Sequence, residues 1–421
     1  MAREKVVAGV DIGSSKITTL IATSAEEELT VIGVSTVSSR GIRKGQVVDI
    51  DEAVSSIAES LEAAERMAGV SISSCFVAIG GAHISSVNSR GVVAVAGGEN
   101  EISEDDVRRV IEAARAISVP SSREIIHVIP RDFIVDSQEG IKDPVGMTGV
   151  RLEVETHVIT GAATAIRNLV KCIQQVGIDV EGLVFSGIAS AESTLTDTEK
   201  ELGVALIDIG GGTTDVALFV DGSIAHSAVI PVGGRNITND LAIGLRSSLE
   251  TAEKIKLALS EKTNKVHEAD KDKKKEETLD ISKLEITEDV GSLSRKTLTE
   301  GIIKPRLTEI LTLIGMEIKR AGFAGLLPAG LVISGGGAST SLLSQVGKEA
   351  LRMPVRVAEP AKVSGLIDEI SAPAYSTAVG LLMYGSKLAV STGRAGLAIK
   401  PGKNLAEITK KIISWVRSLF P

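Results

Sequence analysis

Short apolar runs alternate with glycine-rich polar turns along most of the chain, and one arrangement occurs twice. Residues 6–10 are apolar, break at Asp11-Ile12-Gly13-Ser14-Ser15-Lys16, and resume as an apolar run over 17–22. That pattern predicts strand, tight turn, strand. Residues 204–207 run in the same way into Asp208-Ile209-Gly210-Gly211-Gly212-Thr213-Thr214-Asp215, and 216–220 are apolar again. Two occurrences so far apart predict a duplicated domain rather than a short-period solenoid. A third apolar strand, 331–334, ends on Gly335-Gly336-Gly337.

Helical periodicity marks other segments. Ile50, Val54, Ile57, Leu61 and Ala64 share one face of a helix over 50–68 that stops at Gly69. Residues 75–79 form another buried strand before Gly80-Gly81. Residues 85–160 read as an insertion with its own strands and one helix, which Ser103 caps and Glu104, Asp105 and Asp106 complement at its first turn. A helix over 163–176 ends at Gly177. The mixed charges of 262–278 predict a solvated loop. From Ser386 onward, Gly, Ser and Lys predict a flexible linker.

The last residues differ from everything before them. On a helical wheel Leu405, Ile408, Ile412, Ile413, Trp415, Val416, Leu419 and Phe420 fall in one arc, and Glu407, Lys410, Lys411, Ser414, Arg417 and Ser418 fall opposite. A basic polar face with Trp and Phe on the apolar side predicts a helix lying in a membrane surface, attracted to anionic lipid. Trp415 is the chain's one tryptophan.

Composition narrows the function. The chain has 421 residues, 43% hydrophobic and 24% charged, enough to bury two to four cores. A net charge of −8 argues against general nucleic-acid binding. Two distant cysteines, Cys75 and Cys172, form neither a disulfide framework nor a metal motif. Asp11 and Lys16 interrupt the first apolar stretch, so no secretory leader is expected. The histidines at 83, 127, 157, 226 and 267 are dispersed and read as structural.

The glycine turns carry the candidate chemistry. Glycine lets backbone N–H groups approach a phosphate chain. Gly13, Ser14 and Ser15 would face phosphate and Lys16 would neutralise it. Gly210, Gly211, Gly212, Thr213 and Thr214 would cradle it from the other side. Asp11 and Asp208 would then face each other across a cleft and suit Mg²⁺, which uses few protein ligands. Asp208 or Asp215 would orient an attacking water. No GxxxxGK[ST] and no strand-following GxGxxG is present.

These three turns resemble the actin/Hsp70/sugar-kinase superfamily. Within it, 8–16, 79–91, 138–151, 201–215 and 375–382 are similar to the FtsA family of bacterial cell division. The resemblance implies an α/β, actin-like ATPase fold, two duplicated halves around a nucleotide cleft. Residues 1–84 with 161–195 and 361–385 would form the first core, and 85–160 its inserted FtsA-type small subdomain. Residues 196–235 with 311–360 would form the second core, and 236–310 its small subdomain. A linker over 386–404 would lead to an amphipathic membrane helix at 405–421. ATP is the implied nucleotide, with Gly335, Gly336 and Gly337 at the adenosine and Glu253 and Lys256 flanking the nucleoside. Hydrolytic relatives carry Gln or Glu at the start of the helix after the 158–160 strand. Thr160-Gly161-Ala162-Ala163-Thr164-Ala165 offers neither, which implies weak or no hydrolysis. The implied partners are the C-terminal peptide of the tubulin homologue FtsZ, further copies of the chain in a filament, other division proteins and an anionic membrane. Arg295, Lys304 and Arg306 match basic positions where that peptide is received, and the implied location is the cytoplasmic face of the inner membrane at the septum. A small-metabolite kinase of the same superfamily and an actin-like type IV pilus adaptor remain alternatives.

Overall fold

A computed structural model gives the structure of the protein. It describes residues 5–394 except 26, 27, 97, 99, 118, 264–278, 280–283, 285, 287, 289 and 291–293. The expected charged loop over 262–278 therefore lies almost wholly outside the described residues, and the expected membrane helix over 405–421 lies entirely outside them.

Two sheets repeat one topology. In the first, the strands Lys5–Ile12, Lys16–Ala25 and Glu28–Ser38 form an antiparallel meander. Ser74–Ile79 and then Asp179–Phe185 add in parallel on the side of Lys5–Ile12. In the second, Val204–Ile209, Thr214–Val220 and Ser223–Ile230 form the meander. Leu331–Ser334 and Val355–Val357 add in parallel. Even the turns match. The Gly13 N–H donates to the Lys16 carbonyl at 3.0 Å, and the Gly210 N–H donates to the Thr213 carbonyl at 2.9 Å. The repeated sequence pattern is thus a repeated hairpin at the heart of each half.

Local chemistry sets the helices that pack on these sheets. Asp49 caps Ile50–Ala68 by accepting the Glu52 N–H at 3.0 Å. Gly69 ends that helix at φ 68°, and Ala53, Ile57, Leu61 and Ala64 are buried against the sheet. The helices Ser186–Thr194 and Ser376–Arg394 cross closely enough that a Cβ on Gly380 would overlap the Ala189 carbonyl. A Cβ on Gly9 would meet Leu381 Cβ at 2.8 Å, so Ser376–Arg394 also lies directly on the first strand.

The insertion is a four-stranded antiparallel sheet in the order Ser85–Ala94, Arg151–Ala162, Arg123–Val135, Gln138–Ile141. The helix Glu104–Arg115 covers one face, with Val107, Val110 and Ile111 packed on Phe133, Leu152 and Val154. Ser103 and Asp106 close a reciprocal capping box at its start.

One expectation fails. Of the flexible linker expected over 386–404, the part from Ser386 to Arg394 is still helical, and 395–404 lie outside the described residues. Ser386 Oγ lies 2.8 Å from Ser24 Oγ, and Lys387 Nζ pairs with Glu192 at 2.5 Å. These contacts tie a stretch of linker-like composition to the core. Among the described residues, no helix is long and apolar enough to cross a membrane.

Candidate functional site

The repeated hairpins bring Asp11 and Asp208 to equivalent places at the ends of the first strand of each half. Asp208 stands directly opposite Asp215 in its ladder, as Asp11 stands opposite Thr18. Asp208 and Asp215 are each 5% exposed. Lys16 lies beside the acids, with its Nζ 4.1 Å from the centre of the Tyr375 ring. Asp208 Oδ2 accepts the hydroxyl of Ser190 and that of Thr377, the latter at 2.8 Å. Asp215 Oδ1 is buried without a hydrogen-bond partner among the described residues.

Electrostatics follow from this crowding. Burial, then the neighbouring Asp208, pushes the Asp11 carboxyl up to about 7, against the pull of Lys16. Burial raises Asp208 despite its two hydroxyl donors. Asp215 rises well above its usual range through burial and both other aspartates. Burial lowers Lys16, and Asp11 and Asp208 oppose that. Three acids crowded with one cation thus resist ionising together, and a bound cation would let them do so.

Among the described residues, no three His, Cys, Asp or Glu side chains stand close enough to hold a metal ion unaided. Mg²⁺ takes one or two carboxylates and completes its shell with phosphates and water. The half-satisfied Asp208 with Asp11 beside it fits such an ion, and the orphaned Asp215 Oδ1 could accept from one of its waters.

The two candidate phosphate turns meet each other directly. A Cβ on Gly211 would overlap Ser15 Oγ, and one on Gly212 would stand 3.0 Å from Ser14 Oγ. A side chain at 211 therefore separates the halves before it obstructs any phosphate. Ser14 Oγ accepts the Gly45 N–H at 3.0 Å. Thr214 is committed elsewhere, donating its hydroxyl to the Val232 carbonyl at 2.8 Å.

The adenosine-side candidates also converge. Gly335, at φ 82°, and Gly337 let the third turn pass over the Asp208 strand. A Cβ on Gly335 would overlap Asp208 Oδ1, and one on Gly337 would overlap Ile209. Gly336 opens the short turn Gly336–Ser339. Lys256 Nζ contacts Glu253 Oε2 at 2.7 Å and Thr238 Oγ1 at 2.9 Å on the neighbouring helix Gly234–Leu245. The N-terminus of that helix joins the site and was not singled out from sequence. Gly234 N–H donates to the Gly210 carbonyl at 2.9 Å, and Arg235 N–H to the Gly211 carbonyl at 2.8 Å. Its signal was available in Pro231-Val232-Gly233-Gly234, a glycine turn opening a helix.

The remaining candidates lie elsewhere. Arg306 forks onto Asp240 at 2.6 and 2.9 Å, Lys304 pairs with Glu300 at 3.2 Å, and Arg295 donates to the Leu259 carbonyl at 3.1 Å. The tail residues Ile408, Lys410, Lys411, Ile412, Trp415, Val416, Leu419 and Phe420 lie outside the described residues. Three histidines have internal partners: His127 accepts the Phe185 N–H, His157 bridges Asn88 and Ser227, and His226 meets Glu317. His267 lies outside the described residues.

Sequence comparison adds independent findings. The family profile described as "SHS2 domain inserted in FTSA" matches residues 81–160, and "Cell division protein FtsA" matches 205–380. The Cell division protein FtsA of Pseudomonas aeruginosa is 40% identical over 420 residues, covering 99% of this chain and 98% of the relative. That of Bacillus subtilis is 39% identical over 398 residues, covering 94% and 86%. That of Escherichia coli K12 is 35% identical over 433 aligned positions, covering 99% and 98%. Among solved structures, a PilM–PilN type IV pilus biogenesis complex superposes with TM-score 0.62 at 15% identity, covering 90% of this chain and 98% of that one. MreB5 of Spiroplasma citri bound to ADP gives 0.53 at 13% identity, covering 93% and 99%. At such identities these structures share the actin-like fold alone.

Proposed function

The chain belongs to the FtsA family of cell-division proteins, and from that premise we propose that it binds ATP between its two halves and tethers FtsZ to the membrane. The observation that carries the nucleotide reading is the convergence of Asp11, Lys16, Asp208 and Asp215 under two facing glycine turns. Backbone N–H groups of Ser14, Ser15, Gly211 and Gly212 would hold the phosphates, the turns being closed by the Gly13 and Gly210 N–H groups, and Lys16 would neutralise them. Mg²⁺, when bound, would supply positive charge to the phosphate oxygens, with Asp208 and Asp11 holding it. Gly335–Gly337, Gly234, Glu253 and Lys256 would enclose the nucleoside.

Turnover is slow on this reading. What supports it is the 160–165 stretch, which carries no carboxylate or amide to orient a water. The nucleotide then serves chiefly to set the relation of the halves for self-assembly.

The adaptor role rests on family membership and the C-terminal sequence. Residues 405–421 would lie in the cytoplasmic face of the inner membrane at the septum, and the region of Arg295, Lys304 and Arg306 would receive the acidic C-terminal peptide of FtsZ. Other division proteins are further candidate partners. Co-sedimentation of the full chain with FtsZ and anionic vesicles, with and without ATP, tests the reading. The proposal requires FtsZ to reach the vesicle pellet only when this protein is present; FtsZ left in the supernatant refutes it. Arg306 allows a finer test. Because its guanidinium already grips Asp240, Arg306→Glu would place two carboxylates together and disturb the site as well as remove a charge. Expected is weaker FtsZ-peptide binding for Arg306→Glu and a smaller loss for Arg306→Lys. Unchanged peptide affinity in both removes Arg306 from the site.

A further inference from the structure

The geometry points to Ser190 and Thr377 as positioning residues that set the Asp208 carboxylate for the cation of a bound nucleotide; this rests on the Mg²⁺–ATP reading above. Asp208 belongs to the second half, at the end of Val204–Ile209. Its two hydroxyl donors come from two helices outside that sheet: Ser190 from Ser186–Thr194, which packs against both sheets, and Thr377 from the start of Ser376–Arg394, which lies on the first sheet. Both donate to the same oxygen, Oδ2, and lie 2.9 Å from each other. The other oxygen, Oδ1, lies against Gly335, where a Cβ would overlap it. One oxygen is thus saturated by protein donors and the other is left for a ligand. A carboxylate that meets a cation through a single oxygen needs this arrangement, because fixed donors on its partner oxygen stop the group rotating.

The donors are themselves held rigidly. Ser190 is 0% exposed and Thr377 6%. The Ser190 carbonyl accepts the Thr194 hydroxyl at 2.6 Å, and Ser193 Oγ donates to the Ser376 carbonyl at 2.7 Å, tying the two helices together. The close crossing at Gly380 and Ala189 fixes their spacing a turn beyond. Tyr375, whose ring lies under Lys16 Nζ, immediately precedes the same helix. Ser376–Arg394 therefore begins with contacts to both signs of charge in the cleft. Because the Thr377 bond comes from a helix seated on the first sheet, it aims the carboxylate only while that helix and the second sheet keep this relation. The pair would therefore make cation-assisted binding sensitive to how the halves are set.

The test is the affinity for a fluorescent ATP analogue, measured once with Mg²⁺ and once with EDTA, for wild type, Ser190→Ala, Thr377→Val and Thr377→Ser. Expected is a fall of about 10-fold or more in the Mg²⁺-dependent gain for Ser190→Ala and Thr377→Val, with affinity in EDTA within about two-fold of wild type. Thr377→Ser keeps the hydroxyl and should restore most of the gain. Equal losses with and without Mg²⁺ would show a general packing role and overturn the proposal, as would an unchanged gain in both variants. If Thr377→Val does not fold, Ser190→Ala and Thr377→Ser decide the matter. A wild-type protein that binds the analogue equally in Mg²⁺ and EDTA refutes the magnesium reading itself, a different outcome from either failure of the variants.

Discussion

Asp11→Asn melts above wild type at pH 8 without nucleotide, yet loses about 10-fold or more of its Mg²⁺-dependent ATP affinity. The stability half of this trade-off follows from the crowded acids. Asp11 has a folded pKa of about 7 against an ordinary 3.8, so the folded protein holds a proton that the unfolded chain releases. Stability from this group therefore falls as pH rises from about 4 to about 7, and the loss is complete above that. Asp208 and Asp215 are raised too and act with the same sign. The residue Asp11 is only half-buried at the cleft, so solvent screens part of the effect, and an amide should recover on the order of 1–3 kcal/mol. Lys16 acts with the opposite sign, but in the alkaline range below its ordinary 10.5. His127 and His157, lowered by burial to about 4 and about 3, cost stability as pH drops below 6.5. The difference between variant and wild type at each pH is therefore the readout, by thermal melting at pH 6 and pH 8. An Asp11→Asn protein that melts below wild type at pH 8 contradicts the account of the acids.

Trp415→Glu abolishes binding to anionic vesicles and leaves ATP binding intact. An isolated helix of the length proposed for 405–420 would be marginal in water, so on this proposal the lipid surface supplies its stabilisation. Complete burial of a large apolar side chain contributes roughly 1.5–3 kcal/mol, and interfacial burial less. A carboxylate at the centre of the apolar arc removes that contribution and adds repulsion from anionic lipid. Lys410→Glu with Lys411→Glu should weaken binding to anionic vesicles far more than to neutral ones. As the one tryptophan, Trp415 also reports its own surroundings. Its emission should shift to the blue when anionic vesicles are added. Emission already blue-shifted and shielded from quencher in dilute, lipid-free protein would instead mean a tail docked on the protein, and would end the anchor reading.

Much of the fold was legible because its signals are local. The Asp-Ile-Gly turn marks the same hairpin in both halves, and the 50–68 helix starts and stops where Asp49 and Gly69 require. Ser103 marks its helix equally well. The site was legible only where its chemistry is contiguous. Ser190 and Thr377 lie on two helices distant in sequence, and each is an ordinary hydroxyl until folding brings it to Asp208. Arg306 reads as a free charge, but its partner Asp240 belongs to another helix. The start of the expected linker differs for the same reason: composition favours a linker from Ser386, whereas Ser24 and Glu192, both remote in sequence, hold Ser386 and Lys387 against the core. The turn at Gly233-Gly234 is different, since its sequence signal was present and strong.

Hydrogen exchange of the wild-type protein with and without Mg²⁺–ATP tests the central claim, that the facing glycine turns are one nucleotide site. Backbone N–H groups that hold phosphate exchange slowly once it is bound. Slowed exchange is predicted together at 12–16 and 209–214, segments from both halves, with the insert sheet at 123–141 little changed. ATP binding without protection of these segments, or protection confined to one half, would contradict it.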